Sequence, residues 1–184
     1  VMAKSIKYKN NKTTFTVITN DNKEFNVELL VPGKHNVYNA LSAITLCLEI
    51  NIPIKYIIDG LKKYLGVKRR FQIKHVIENR KIMIIDDYAH HPSEISATIK
   101  AAKSGWPNRR IIIIFQPHLF SRTKDFFKEF AKALNYADIN ILVPIYGARE
   151  KLNKKISSKL IIDYLKNINH KNSFLSSKNK LSEK

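Results

Sequence analysis

At 184 residues and 44% hydrophobic content, the chain is long enough for one domain, or for one domain plus part of another, and too apolar to be disordered. Its single cysteine, Cys47, excludes an intramolecular disulfide framework, and no apolar run approaches the ~18 residues that suggest a membrane span. The net charge of +18 favours polyanions in general. Lysines are nevertheless spread along the whole chain, without an RNP-like, zinc-finger or Lys/Arg-run motif, so specific nucleic-acid recognition is not expected. The amino terminus, VMAKSIKYK, has no apolar core of a secretory signal, and a cytoplasmic location is expected.

In chain order, residues 4–30 predict an antiparallel meander. A short strand at 5–9, a turn at 10–12, a β-branched and aromatic strand at 14–19, a second turn at 20–22 and the alternating Phe25, Val27 and Leu29 follow one another. Pro32 and Gly33 break the pattern. A helix over 36–50 places Val37, Ala40, Leu41, Ile44 and Leu48 on one face, and a second over 54–65 carries Ile57, Ile58, Leu61 and Leu65. The basic joint at 66–71 marks a change of style, and a domain boundary is expected near residue 68. Beyond it, strands at 71–77, 81–86, 110–116 and 139–144 alternate with helices at 92–103, 124–135 and 157–168. That alternation predicts βαβ units and a mostly parallel sheet. The run Ile82 to Ile85 and the five residues from Ile111 to Phe115 read as buried strands. The tail from His170 is polar and expected to fray beyond a short Phe174-Leu175 segment.

Three polar loops follow strand ends, at 86–91, 116–123 and 146–150, and all three would lie on one edge of a parallel sheet, where ligands bind in open α/β folds. In the first, Asp86, Asp87, Tyr88, His90 and His91 admit three readings. They are metal ligation, a structural role with His91 near a helix N-cap and Asp86 accepting loop amides, or ligand contact, which is favoured. In the second, His118 and Arg122 suit a carboxylate or phosphate, with Ser121 or Thr123 capping the helix that follows. Asn36 and Asn39 are one helical turn apart and suit a purine edge, unless Asn36 is only an N-cap. Arg69 and Arg70 suit a phosphate, or a solvated linker. No GxxxxGK[ST] loop and no nucleophile elbow are present.

Five segments carry a resemblance: PGKHNVYNALSA (32–43), GVKRRF (66–71), DDYAHHPSEI (86–95), FQPHLFSRT (115–123) and PIYGAREK (144–151). In this order they resemble the Mur ligase family, and DDYAHHP with QPHLFSRT most resembles members that join L-alanine to UDP-N-acetylmuramate. The resemblance implies an α/β fold. Residues 1–67 would be the end of a central ATP-binding domain, with antiparallel strands and two helices, and 68–184 a Rossmann-like C-terminal domain, truncated at its end. It implies a cytoplasmic enzyme of peptidoglycan synthesis, in which ATP, with Mg2+, activates the lactyl carboxylate as an acyl phosphate for attack by the alanine amine. The UDP-sugar domain, the P-loop and the magnesium ligands would lie in upstream domains that this chain lacks, so the chain alone would be inactive. No metal ligands are expected within it.

Residue by residue, the resemblance assigns Asn36 and Asn39 to adenine, Arg70 to a phosphate, and Asp87 with Asp86 to the ATP ribose. Tyr88, His90, His118 and Arg122 fall in the region around the amino acid and the muramoyl substrate. Arg70, Asp87 and His90 are the expected catalytic set. Leu119 stands where relatives carry a basic residue. Another Mur ligase step and a basic, non-catalytic binding module are the alternatives.

Overall fold

The computed structural model describes residues 1–177. They form two compact units: residues 1–88 with 100–108, and 89–99 with the chain from Arg109 onward.

The first unit opens with strands β1 (Met2–Lys9), β2 (Lys12–Ile18) and β3 (Glu24–Leu29), an antiparallel sheet in the order β1-β2-β3. Alternation sets its faces. Phe15 lies opposite Val27, and Phe15, Val17, Val27 and Leu29 are buried while Thr14, Glu24 and Asn26 face out. Helices α1 (Lys34–Glu49) and α2 (Ile54–Lys63) supply Val37, Ala40, Ile44 and Ile57 to the same core. Burying a Val or Ile side chain in this way stabilises by about 1.5–3 kcal/mol. The buried Thr13 hydroxyl donates to the Val31 carbonyl at 2.9 Å, so its burial leaves no unmet donor. Helix α1 starts at Gly33, whose φ of 100° suits glycine and where a Cβ would sit 2.7 Å from the His35 ring. Asn36 is therefore inside the first turn and not the N-cap.

Strands β4 (Gln72–Ile77) and β5 (Ile82–Asp86) complete this unit as an antiparallel hairpin. This corrects two expectations. Strand β5 does not join the parallel sheet, and Ile82 and Ile84 are 45% and 49% exposed. An apolar run does not distinguish a strand covered on both faces from one covered on a single face.

The second unit holds strands β6 (Ile112–Phe115), β7 (Ile139–Leu142) and β8 (Ser173–Leu175), all parallel in the order β6-β7-β8. Helices α4 (Phe120–Leu134) and α5 (Lys159–Asn167), with the start of α3 (Pro92–Gly105), build its core. Ile95, Ile99, Phe115, Phe130, Leu134, Leu142, Ile161 and Leu165 pack there. Ile112 and Ile114 instead face out, at 50% and 61% exposure, so β6 is buried on one face and not along its whole run. The polar tail is ordered where it meets β7. The His170 ring bonds the Ala137 carbonyl at 2.8 Å and Ser173 at 2.9 Å, and β8 pairs in parallel with β7. The remainder of the expected fraying falls on 178–184, outside the described residues. No helix among the described residues is long and apolar enough to cross a membrane.

Candidate functional site

The expected site residues gather in two clusters, one in each unit. In the first unit, the joint after α2 turns through left-handed backbone at Gly66, Arg69 and Phe71, with φ of 90°, 57° and 45°. Those turns bring the joint beside the end of β5. The Phe71 amide donates to the Asp87 carboxylate at 3.0 Å, and the Tyr88 amide to the Arg69 carbonyl at 2.7 Å. The Arg69 guanidinium stands 3.7 Å from the Asp86 carboxylate and 4.6 Å from the centre of the Tyr88 ring. The loop-holding carboxylate is thus Asp87, not Asp86, and Arg69, though exposed, lies against both Asp86 and Tyr88.

Burial pushes the His35 imidazole below its ordinary pKa; Asp87 opposes this and Arg70 adds to it. Asp87 and Arg70 therefore act on the first turn of α1. On that helix the Asn36 side-chain amide nitrogen donates to the Pro32 carbonyl at 2.7 Å. Asn39, one turn on, is exposed. Together the first turn offers amide groups beside a cation and a carboxylate, a donor set that fits a nucleotide.

In the second unit, the chain enters α3 through His90 and His91, whose amides donate to the Glu94 carboxylate at 2.9 and 3.1 Å. The His91 ring meets the Ser93 hydroxyl at 2.8 Å and accepts from the Ser93 amide at 3.4 Å, which puts histidine in the cap position ahead of α3. This bears out a cap role for His91. The His90 ring lies 5.9 Å from that of His118, which in turn lies 5.5 Å from that of Tyr146. The Arg122 guanidinium reaches the His90 carbonyl at 3.5 Å. Nδ1 of His118 is shielded from solvent and has no hydrogen-bond partner among the described residues. Burial, then the positive charges of Arg122 and His90, lower the His118 pKa from 6.5, with Glu150 opposing.

The loops after β6 and β7 share an edge of the parallel sheet, linked by a bridge between His118 and Tyr146. The 86–91 loop divides differently: Asp86, Asp87 and Tyr88 belong to the first unit and His90 and His91 to the second. Helix α4 begins at Phe120, four residues before its expected start, so Ser121 and Thr123 lie inside it and neither caps it. The Thr123 hydroxyl donates back to the Leu119 carbonyl at 2.8 Å. An anion does sit at the α4 N-terminus, as expected for such a position, but it is the carboxylate of Glu150. Glu94 had a local signal, an acidic residue three positions after a cap. Glu150 had none, because its partners are 29 and 30 residues away.

Residues 69–183 match the model of the Mur ligase, glutamate ligase domain, and residues 1–47 that of the Mur ligase middle domain. A UDP-N-acetylmuramate–L-alanine ligase of Pelodictyon phaeoclathratiforme is 48% identical over 151 residues, which are 82% of this chain and 31% of that protein. The enzyme of the same name from Clostridium novyi is 43% identical over 166 residues, 90% of this chain and 36% of its own length. The crystal structure of the UDP-N-acetylmuramate–alanine ligase of Thermotoga maritima superposes with a TM-score of 0.83 at 31% identity, over 98% of this chain and 38% of that one. The chain thus spans about a third of the length of the relatives it matches. A folylpolyglutamate synthase of Thermotoga maritima, 19% identical with a TM-score of 0.63, shares the fold. The matched domains cover most of the sequence, and the chain belongs to the Mur ligase family.

Proposed function

We propose that the chain is the nucleotide- and amino-acid-handling part of a UDP-N-acetylmuramate–L-alanine ligase, acting in an ATP-dependent, ADP-forming step of peptidoglycan precursor synthesis in the cytoplasm. The observation that carries this reading is identity of 43–50%, over 82–90% of the chain, to relatives of that name. In this reading 1–67 end the central domain and 68–184 form the C-terminal domain. The upstream part supplies the UDP-sugar site, the P-loop and the magnesium ligands. Among the described residues no group of three or more His, Cys, Asp or Glu is gathered as a metal site.

ATP supplies the phosphoryl group that activates the lactyl carboxylate as an acyl phosphate. This chain positions the partners, and positioning with charge neutralisation is the main work of such transfers. Asn36 and Asn39 hold the adenine edge through amides that both donate and accept. Arg70 faces a phosphate, and Asp86 and Asp87 the ribose. Arg122 offers a planar fork of donors to the alanine carboxylate. His118, held uncharged near neutral pH, accepts a hydrogen bond from the alanine amine, with His90 beside it; Tyr88, in the first unit, is a substrate contact by resemblance.

The test is a hybrid in which this chain replaces the matching segment of the Clostridium novyi relative. L-alanine-dependent ADP release with formation of UDP-N-acetylmuramoyl-L-alanine is expected. A folded hybrid that uses a different amino acid, or none, contradicts the reading. The 184 residues alone contain no GxxxxGK[ST] loop and are expected to release no ADP.

A further inference from the structure

This inference rests on the reading of His118 and Arg122 as substrate contacts. Between those residues the backbone adopts a conformation that leucine resists. Leu119 has φ 72° and ψ 135°, in a region that side chains with a Cβ rarely visit. A residue held there needs surroundings that fix it, and one short segment provides them.

That segment is 146–150. The Leu119 amide donates to the Tyr146 carbonyl at 2.9 Å, and the Tyr146 amide to the Pro117 carbonyl at 2.8 Å. The Phe120 and Ser121 amides donate to one oxygen of Glu150, at 2.5 and 3.1 Å, and the Ser121 hydroxyl donates to the other. The Phe120 ring lies over Gly147 so closely that a Cβ there would sit 2.6 Å from it. The Glu150 amide closes the segment on itself, donating to the Gly147 carbonyl at 2.9 Å. The Ser121 hydroxyl, with the two amides, holds the Glu150 carboxyl below its ordinary pKa, so it is ionised at neutral pH.

The geometry points to Glu150 as a positioning residue for the amino-acid substrate. It stands where an N-cap side chain would stand, yet it comes from the loop after β7. A Ser, Thr or Asp at position 119 would cap α4 just as well locally. It would not tie the first turn of α4 to the loop that carries Tyr146. With Glu150 as the cap, the residue before the strained leucine, His118, is fixed against the Tyr146 ring. The residue three after it, Arg122, is fixed on the first turn of the helix. Glu150 and His118 also feel each other's charge, but the positioning runs through the backbone that carries His118 and Arg122.

The experiment compares Glu150→Ala and Glu150→Gln in the 184-residue chain and in the hybrid ligase. In the chain, E150A is expected to speed hydrogen exchange at the Phe120 and Ser121 amides on the order of tenfold or more. In the hybrid, E150A is expected to raise KM for L-alanine on the order of tenfold while KM for ATP stays put. E150Q, which keeps an acceptor for the amides but loses the charge, falls between wild type and E150A in both. Unchanged exchange shows that the clasp does not exist, and faster exchange with an unchanged KM shows that it only caps a helix; either overturns the inference. If the wild-type hybrid releases no ADP, the alanine reading fails, and the chain alone decides the positioning. There the His118 ring and Arg122 Nε resonances must move in E150A and return toward wild type in E150Q, and fixed resonances overturn it.

Discussion

The two clusters are held in different ways. In the first unit, Asp87 accepts the Phe71 amide and Arg69 meets Asp86 and Tyr88, all within one hairpin and the joint that enters it. In the second, His90, His118 and Tyr146 come from three separate loops, and the contact that fixes two of those loops is a carboxylate 30 residues from its partner. The joint-and-hairpin part of the first cluster is a property of a local fold, although Asn36 and Asn39 come from α1; the second cluster exists only when the parallel sheet has formed. Local contacts cost little chain entropy to assemble, and distant ones need the rest of the unit in place first.

Asp87 is the place to break the first cluster. Asp87→Ala leaves the Phe71 amide, on a residue only 7% exposed, without its acceptor. The expected cost is about 1–3 kcal/mol in urea unfolding, and Asp87→Asn, which keeps an acceptor oxygen, should lose less. Equal stability for D87A and wild type would show that the joint is held by something else.

A smaller effect is expected in the pH dependence of stability. His118 and His35 both have pKa values lowered from 6.5, mainly by burial. The unfolded chain therefore takes up a proton first as pH falls. The stability tied to the neutral ring is fully present above pH 6.5 and is lost as pH drops through that value toward the lower folded one. His118→Gln should flatten the decline of the urea midpoint below neutrality, and His35→Gln should flatten it separately. No change from either variant would place the acid sensitivity elsewhere.

What could be read in the sequence follows the same division. The meander was legible because β-branched and aromatic residues alternate cleanly, and Phe15, Val17 and Val27 are buried as that alternation requires. Helices α1 and α2 were legible from spacing. The clustering of His118 and Tyr146 at one sheet edge followed from strand order and is borne out by their bridge. The apolar runs at Ile82 to Ile85 and Ile111 to Phe115 misled, since hydrophobicity alone does not say how many faces of a strand are covered. The start of α4 misled because Ser121 and Thr123 are good local caps, while the group in that place is Glu150. The short Phe174-Leu175 segment was legible too and is strand β8, while its anchor was not: Asn140, fully buried on β7, reaches His170 at 3.4 Å and Ser173 at 3.3 Å. Each miss is a contact between distant residues, which a local pattern does not encode.

In the proposed reading, Asn36 and Asn39 serve the nucleotide and His118 and Arg122 the amino acid. Steady-state kinetics of the hybrid ligase with Asn39→Ala and Arg122→Gln, both substrates varied in turn, separates the two roles. Asn39→Ala should raise KM for ATP and leave KM for L-alanine unchanged, and Arg122→Gln should do the reverse. Variants that raise both constants together, or that exchange their effects, would contradict the assignment.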